Sequence, residues 1–430
     1  MIAGEGAGRL TWRHAGAVLL TGVAAGVAGI VLTLLLHAVQ HVAFGYTENT
    51  FLIGVEQASP LRRVIAVGAG GVVAGLGWWL HRRRLSAMSR ASDGSADGGR
   101  SISVTHALAE PVPRMPVVDT SIDALLQLIA IGAGASLGRE GAPRQVGAAL
   151  AGGIAARFGL TAERRRVLLA AGAGAGLAAV YNVPFGGAAF TLEVLLGTLT
   201  PATTVVALVT SWLAALVAWP VLGNHATYQL GHAAPAALAA TVAAPLLGAA
   251  LGPLAFGFRA AMTYARAHAP TGWRAALAIP ITFTALGALA IAYPQLLGNG
   301  KSLAELDFTA ALGLGTAVVL AGLKPLATAA CLRSGAIGGL LTPSLATGAT
   351  LGLLAGHAWA GVWPGSSPTS LAVIAAAGFL AVAQRAPVTA VILTAEFTHA
   401  QLVLLPAIGL TVVAATMTAK RLTAVQHSRS

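Results

Sequence analysis

Charged residues are scarce in this sequence. They make up 9% of the 430 residues, whereas apolar residues make up 56% and the mean hydropathy is +0.77. This composition excludes an ordinary soluble domain and indicates a polytopic membrane protein. Cysteine is nearly absent too, and because Cys331 is the only one, an intrachain disulfide is excluded.

Acidic residues are the rarer charged class, with 14 against 26 basic residues. The excess of positive charge does not indicate nucleic-acid binding, because many basic residues cluster in predicted loops, as at 81–84, 164–166 and 420–421. Positive loop charge is typical of the cytoplasmic side. We therefore expect the 81–120 loop and the C-terminus inside, and a multi-pass protein of the cell (inner) membrane.

Several apolar segments are too short to cross a bilayer. Spanning about 30 Å of hydrocarbon takes roughly 20 helical residues, but the runs at 143–156, 184–197, 370–383 and 387–397 are shorter. Short helices interrupted by glycine and proline, at corresponding places in two halves, are typical of a transport site.

The two halves of the chain share a pattern. Pro184 and Glu193 recur as Pro387 and Glu396, in both cases 203 residues later, and the stretch 138–143 is echoed by 338–343. Such repeats indicate a transporter or channel built around a pseudo-two-fold axis. We predict one transmembrane domain over residues 1–430, with pseudo-repeats at about 15–222 and 236–419.

The stretch Gly138-Arg139-Glu140-Gly141-Ala142-Pro143 separates two of the apolar segments. An ionisable group within a membrane costs several kcal/mol unless it faces a cavity, an ion path or a partner. The flanking glycines permit a sharp turn, and proline is tolerated in a first helical turn. We predict that one helix ends near Gly138 and another starts at Glu140 or Gly141, so that its free N–H groups form an anion site.

The motifs of this chain resemble those of the CLC family of chloride channels and chloride/proton antiporters, in its prokaryotic type without regulatory domains. Several stretches carry the resemblance in the order and spacing of that family, namely 138–143, 171–177, 181–184, 298–300, 334–343 and 384–396. The resemblance implies an all-α fold with broken, tilted helices in two inverted repeats. It also implies a homodimer with one anion pathway per subunit.

In that family helix N-termini and side-chain hydroxyls hold the anion, and a gating glutamate competes with it. The resemblance makes Glu140 the gating residue, with chloride or another small anion as the partner. No cofactor or metal is expected. The predicted anion-binding residues are Gly99, Arg100, Ser101, Gly141, Ala142, Pro143, Gly339, Leu340 and Leu341.

Three departures from the family pattern bear on function. The selectivity serine aligns with Gly99, so its contact is lost or supplied by Ser101 or the backbone. The internal proton glutamate of the antiporters aligns with Val194, which leaves the neighbouring Glu193 as the candidate for a proton path. The inner-gate tyrosine would fall near Ser428, so that gate is open or differently built.

Two alternatives to a channel-like or weakly proton-coupled anion pathway stay open. One is a proton-coupled chloride or fluoride antiporter. The remote one is an intramembrane serine protease, because Gly134 to Gly138 fits a Gly-x-Ser-x-Gly pattern around Ser136. The sequence also leaves two interpretations of Lys324, which either adds positive potential to the pore or pairs with a carboxylate.

Overall fold

The computed structural model describes residues 12–48, 50–93, 103–230, 237–400 and 402–427. The regular structure of these residues is helical, with short 3-10 and π-helical turns, connecting loops and one isolated β-bridge. The α-helices are α1 (Trp12–Phe44), α2 (Phe51–Gln57), α3 (Pro60–Asp93), α4 (Val104–Ala109), α5 (Val117–Gly132), α6 (Gly141–Arg157), α7 (Ala162–Tyr181), α8 (Pro184–Phe190), α9 (Pro201–Leu222), α10 (Ala237–Ala267), α11 (Trp273–Leu289), α12 (Lys301–Phe308), α13 (Leu314–Arg333), α14 (Leu341–Val362), α15 (Pro368–Gln384), α16 (Pro387–Thr398) and α17 (Leu405–His427).

Six helical segments of the described chain are long and apolar enough to cross a membrane. They are α1, residues 60–87 of α3, α9, α10, α13 and the segment 402–424 that contains most of α17. Four more apolar segments are shorter, at 184–196, 273–289, 368–384 and 387–398. The predicted class, an all-α multi-pass membrane protein with interrupted helices, is confirmed.

Two predicted boundaries are wrong. α5 ends at Gly132, before the predicted Gly138, because the chain turns through Gly134 with φ of 116°, a conformation that glycine adopts without strain. The predicted 81–120 loop starts too early, since α3 continues to Asp93. The short helices α2, α4 and α12 were not predicted.

The described chain folds as two compact units, and the first comprises residues 12–30, 103–120 and 143–223. Within it α6 and α7 approach closely, since Gly147 faces the carbonyl of Gly172 and Gly176 faces the carbonyl of Pro143. Small residues at such crossings let two backbones pack in van der Waals contact. Trp219 of α9 donates a hydrogen bond of 2.6 Å to Asn182, the residue that ends α7.

The second unit contains the remaining described residues. Its centre is α15, which is buried from Ser370 to Ala383 and packs against α10, α14 and α17. α14 approaches α15 at Gly348 and Gly352, where a Cβ would meet α15. A helix that is apolar on every side, as α15 is, requires such complete coverage.

The predicted register between the halves recurs in local structure. α7 and α15 end in the left-handed residues Asn182 (φ 55°) and Arg385 (φ 56°), and α8 and α16 then start at Pro184 and Pro387. A left-handed residue followed by proline at the next helix start is an expected way to end one helix and begin another. The limits of the pseudo-repeats stay a prediction, because the compact units divide the chain differently.

The α6–α7 crossing generates a stability prediction. We expect Gly172→Ala to destabilise the protein by about 1–3 kcal/mol, because the added methyl group would overlap the carbonyl of Gly147 and the Cβ of Ala151. The measurement is the thermal unfolding midpoint of purified protein in detergent.

The matched control is Gly153→Ala on α6, where nothing lies within 4 Å of an added Cβ. This substitution should leave the midpoint unchanged or raise it slightly, since alanine favours a helix. Equal midpoints for both variants would contradict the packing argument.

Candidate functional site

Glu140 lies between α5 and α6 and is fully buried. Its carboxylate contacts the start of α14, far along the chain. The backbone N–H of Leu341 donates to Oε1 over 2.6 Å, and the hydroxyl of Thr342 donates to Oε2 over 3.2 Å. The acid that the sequence singled out is therefore seated at the N-terminus of a 22-residue helix.

That position is suited to a negative charge. The first N–H groups of a helix have no partner within the helix, and its dipole adds positive potential there. Leu340, the residue before α14, supplies no side-chain cap. A small anion in place of the carboxylate would meet the same amide and the same hydroxyl.

Two glycines bring the carboxylate to this helix end. Gly138 and Gly339 form an antiparallel bridge in which each N–H donates to the other carbonyl over 2.8 Å. A Cβ on either glycine would overlap the carboxylate of Glu140. The bridge therefore joins the two predicted motif loops and leaves space for the acid only because both residues are glycine.

A buried lysine supports the same loops. Lys324 of α13 donates to the carbonyls of Leu296 (3.0 Å) and Gly298 (2.9 Å), and the N–H of Gly298 donates to the carbonyl of Gly134 (3.0 Å). The observed hydrogen bonds of Lys324 thus go to backbone carbonyls. The interpretation from sequence in which Lys324 pairs with a carboxylate is not supported. The ammonium group anchors the segment that in turn holds the start of the Glu140 loop.

Gly141, the first residue of α6, packs against a polar network. A Cβ there would overlap the side-chain oxygen of Gln127. Gln127 donates to one oxygen of Asp123 over 2.9 Å, and the indole of Trp78 donates to the other over 2.8 Å. These three side chains are buried, and the network fixes α5 beside the loop.

Basic side chains stand close to the loop. Arg139 is partly buried and acts electrostatically on His37 and on Lys301. Lys301 starts α12, which is too short to span a membrane, and burial together with the charge of Arg139 lowers the pKa of its ammonium group. The positive charges raise the local potential and attract anions.

Ser136 is fully buried, and its hydroxyl lies 3.4 Å from the hydroxyl of Thr328. This neighbour is another alcohol. A serine nucleophile requires a base within hydrogen-bond reach, and a threonine hydroxyl cannot take that role. The geometry gives no support to the protease alternative.

Some of the remaining predicted site residues lie within the described structure, and others lie outside it. Gly99, Arg100 and Ser101 lie outside the described residues, as does Ser428. Ala142 and Pro143 occupy the first turn of α6, as predicted, with Ala142 fully buried. Glu193 lies partly buried in a π-helical turn of the first unit, Thr191–Leu196, which also contains Val194.

One contact of the site was missed from sequence. Thr342 lies in the 334–343 motif and is not among the predicted anion-binding residues, although its hydroxyl donates to Glu140. The available signal was its position, since a hydroxyl in the first turn of a helix can point at whatever the free N–H groups bind.

Comparison with known proteins identifies what the chain is similar to. The family model described as voltage gated chloride channel matches residues 85–420. A relative from Yersinia pseudotuberculosis, the voltage-gated ClC-type chloride channel ClcB, is 32% identical over 96% of this chain and 99% of its own length.

Solved structures share the fold. A slow cyanobacterial chloride/proton antiporter superposes with a TM-score of 0.81 at 22% identity. The match covers 96% of this chain and 96% of the antiporter chain. A CLC-type fluoride/proton antiporter has a TM-score of 0.74 at 19% identity, covering 96% of this chain and 98% of the other. At these identities the likeness establishes the fold alone.

The contacts of Lys324 generate a prediction. We expect Lys324→Met to destabilise the protein by about 3 kcal/mol, because the carbonyls of Leu296 and Gly298 would stay buried without a donor. The measurement is thermal unfolding in detergent, with the exposed Lys420→Met as the control. An undiminished midpoint for the Lys324 variant would show that the lysine is not a structural anchor.

Proposed function

Because the chain belongs to the voltage-gated chloride channel (CLC) family, we propose that it carries small anions, chloride foremost, across the membrane along a pathway gated by Glu140. The observation that carries this proposal is the seat of the carboxylate on Leu341 and Thr342 at the start of α14. The acid occupies donors that an anion would use, so the two compete.

The competition gives a mechanism for gating. While the charged carboxylate accepts both hydrogen bonds, no anion can reach these donors. Protonation removes the negative charge and weakens the attraction to the helix N-terminus, which frees the amide of Leu341 for an anion. Neutral dipoles replace part of the hydration shell without cancelling the charge, so the anion can also leave.

Proton-coupled antiport is the second candidate function. Both structural relatives named above are described as proton antiporters, one for chloride and one for fluoride. The π-helical turn around Glu193 is a second favourable feature, because such turns occur frequently at functional sites. Val194, at the family's internal proton position, argues against tight coupling, so we propose channel-like or weakly coupled transport.

Members of this family are transporters or channels and not enzymes, and the serine protease alternative is therefore rejected. We further propose that the protein works as a homodimer in the inner membrane, with one pathway per subunit. The family resemblance supports both the homodimer and the membrane location. The six membrane-length apolar helices of the described residues also support the membrane location.

The gating proposal predicts the effect of removing the acid. We expect Glu140→Ala to raise chloride efflux from liposomes on the order of ten-fold and to flatten its pH dependence, because the tethered competitor is lost. In the wild-type protein efflux should rise on acidification, since the protonated acid releases its donors.

The matched control is Glu56→Gln, which removes an exposed carboxylate of the same unit. It should change neither the rate nor the pH profile. Wild-type rate and pH dependence in the Glu140 variant, at equal reconstitution yield, would refute the gating role.

Coupling is tested by recording proton movement with anion efflux. We expect a chloride gradient to drive little or no proton uptake, and Glu193→Gln to leave chloride efflux unchanged, because Val194 lacks a proton-carrying group. Stoichiometric proton uptake that Glu193→Gln abolishes would establish the antiporter instead. Parallel assays with nitrate and fluoride identify the preferred anion.

A further inference from the structure

A cavity of about 370 Å³ lies between residues 75–86 of α3 and the start of α11, and Glu140 is not among the residues that line it. The two helices touch at the wall of the cavity, where Gly75, one of its lining residues, packs against Ala276. Arg82, Arg83 and Thr271 are also among the lining residues. The anion pathway proposed above makes no use of this cavity.

The cavity presents groups that bind a phosphate. The guanidinium of Arg82 makes no hydrogen bond within the described structure, and the acid that attracts it, Asp123, already accepts from Trp78 and Gln127. Arg83 stacks over Trp79 at 4.8 Å, which orients its charge at the cavity wall. Arginine offers a planar fork of donors that matches phosphate oxygens.

The start of α11 adds to this potential. Gly272, another wall residue, is the N-cap of the 17-residue α11 and has no side-chain cap, so the first N–H groups of the helix are open to an acceptor. The cavity thus combines two arginines with a positive helix end, and its charge complements an anionic headgroup.

The same helices supply an apolar surface for acyl chains. α3 exposes Leu76 (45%) and Leu80 (57%), and α11 exposes Trp273, Leu277 and Ile281 at a spacing of four residues. Apolar side chains exposed on membrane-length or membrane-packed helices contact lipid tails. This continuity favours a lipid over a free anion as the occupant.

The position of the cavity fits one leaflet. Arg82, Arg83 and Arg84 stand at the end of the apolar part of α3, and positive residues at a helix end mark the cytoplasmic side. The cytoplasmic leaflet carries anionic lipids, and basic pockets between helices on this side bind their headgroups. We propose that this cavity binds the phosphate headgroup of an anionic phospholipid.

Native mass spectrometry of the detergent-purified chain tests the proposal. Wild-type protein is incubated with phosphatidylglycerol or with phosphatidylcholine, and the lipid-bound fraction is compared with that of R82Q/R83Q. We expect phosphatidylglycerol to be retained in preference to phosphatidylcholine, and its apparent affinity to fall on the order of ten-fold in the variant. Equal retention of both lipids by the wild-type protein would overturn the proposal.

Arg84 provides the matched control, because it is the next residue on α3 and does not line the cavity. R83E should lose phosphatidylglycerol, whereas R84E should retain it. Since both residues are exposed, neither reversal should impair folding, so this pair decides the question even if R82Q/R83Q does not fold. If R83E and R84E lose phosphatidylglycerol equally, the binding depends on the general charge of the surface, and this result would contradict a defined site.

Competition with inorganic phosphate distinguishes a lipid headgroup from a free phosphate ion as the occupant of the cavity. If a lipid is the occupant, excess phosphate should displace little phosphatidylglycerol, because the competitor lacks the acyl contacts. Complete displacement by phosphate would assign the cavity to a free anion and overturn the lipid proposal.

Discussion

The site depends on one buried carboxylate that is held at the N-terminus of a helix. Burying a carboxylate is expensive unless hydrogen bonds replace its water shell. Glu140 obtains them from the amide of Leu341 and the hydroxyl of Thr342, both in the first turn of α14. A helix N-terminus stabilises a negative charge without forming a covalent or fully neutralising partnership. The same donors would suit a small anion, and this is the basis of the function proposed above.

The surrounding structure keeps the two loops in register. The reciprocal hydrogen bonds between Gly138 and Gly339 fix the distance between them, and no side chain could be added at either position without displacing the carboxylate. Lys324 extends this support through the Gly298 segment to Gly134. Because most of these links are backbone groups, the geometry depends little on side-chain rotamers, which suits a site whose donors must stay in place when the acid leaves.

The sequence predicted the features that follow from local chemistry. An acid between glycines in an apolar region, and a proline register repeated after 203 residues, identified Glu140 and the helix starts at Pro184 and Pro387. At the end of α5 the glycines at 132, 134 and 138 could each end the helix, and the local sequence does not decide among them. The partners of Lys324 could not be predicted, because they lie in a separate loop of the chain. The Thr342 contact is of the same kind, since 202 residues separate its two members.

In the function proposed above, the tether explains how such a seat would act as a gate. A side chain attached beside its own binding site has an effective concentration in the millimolar range or above, so it excludes an anion that is present at lower concentration. Two changes would favour the anion over the carboxylate at these donors, namely a higher anion concentration and loss of the carboxylate charge by protonation. Under the proposed function, carrying protons through the site would require a second acid, and where the family resemblance places that acid this chain has Val194.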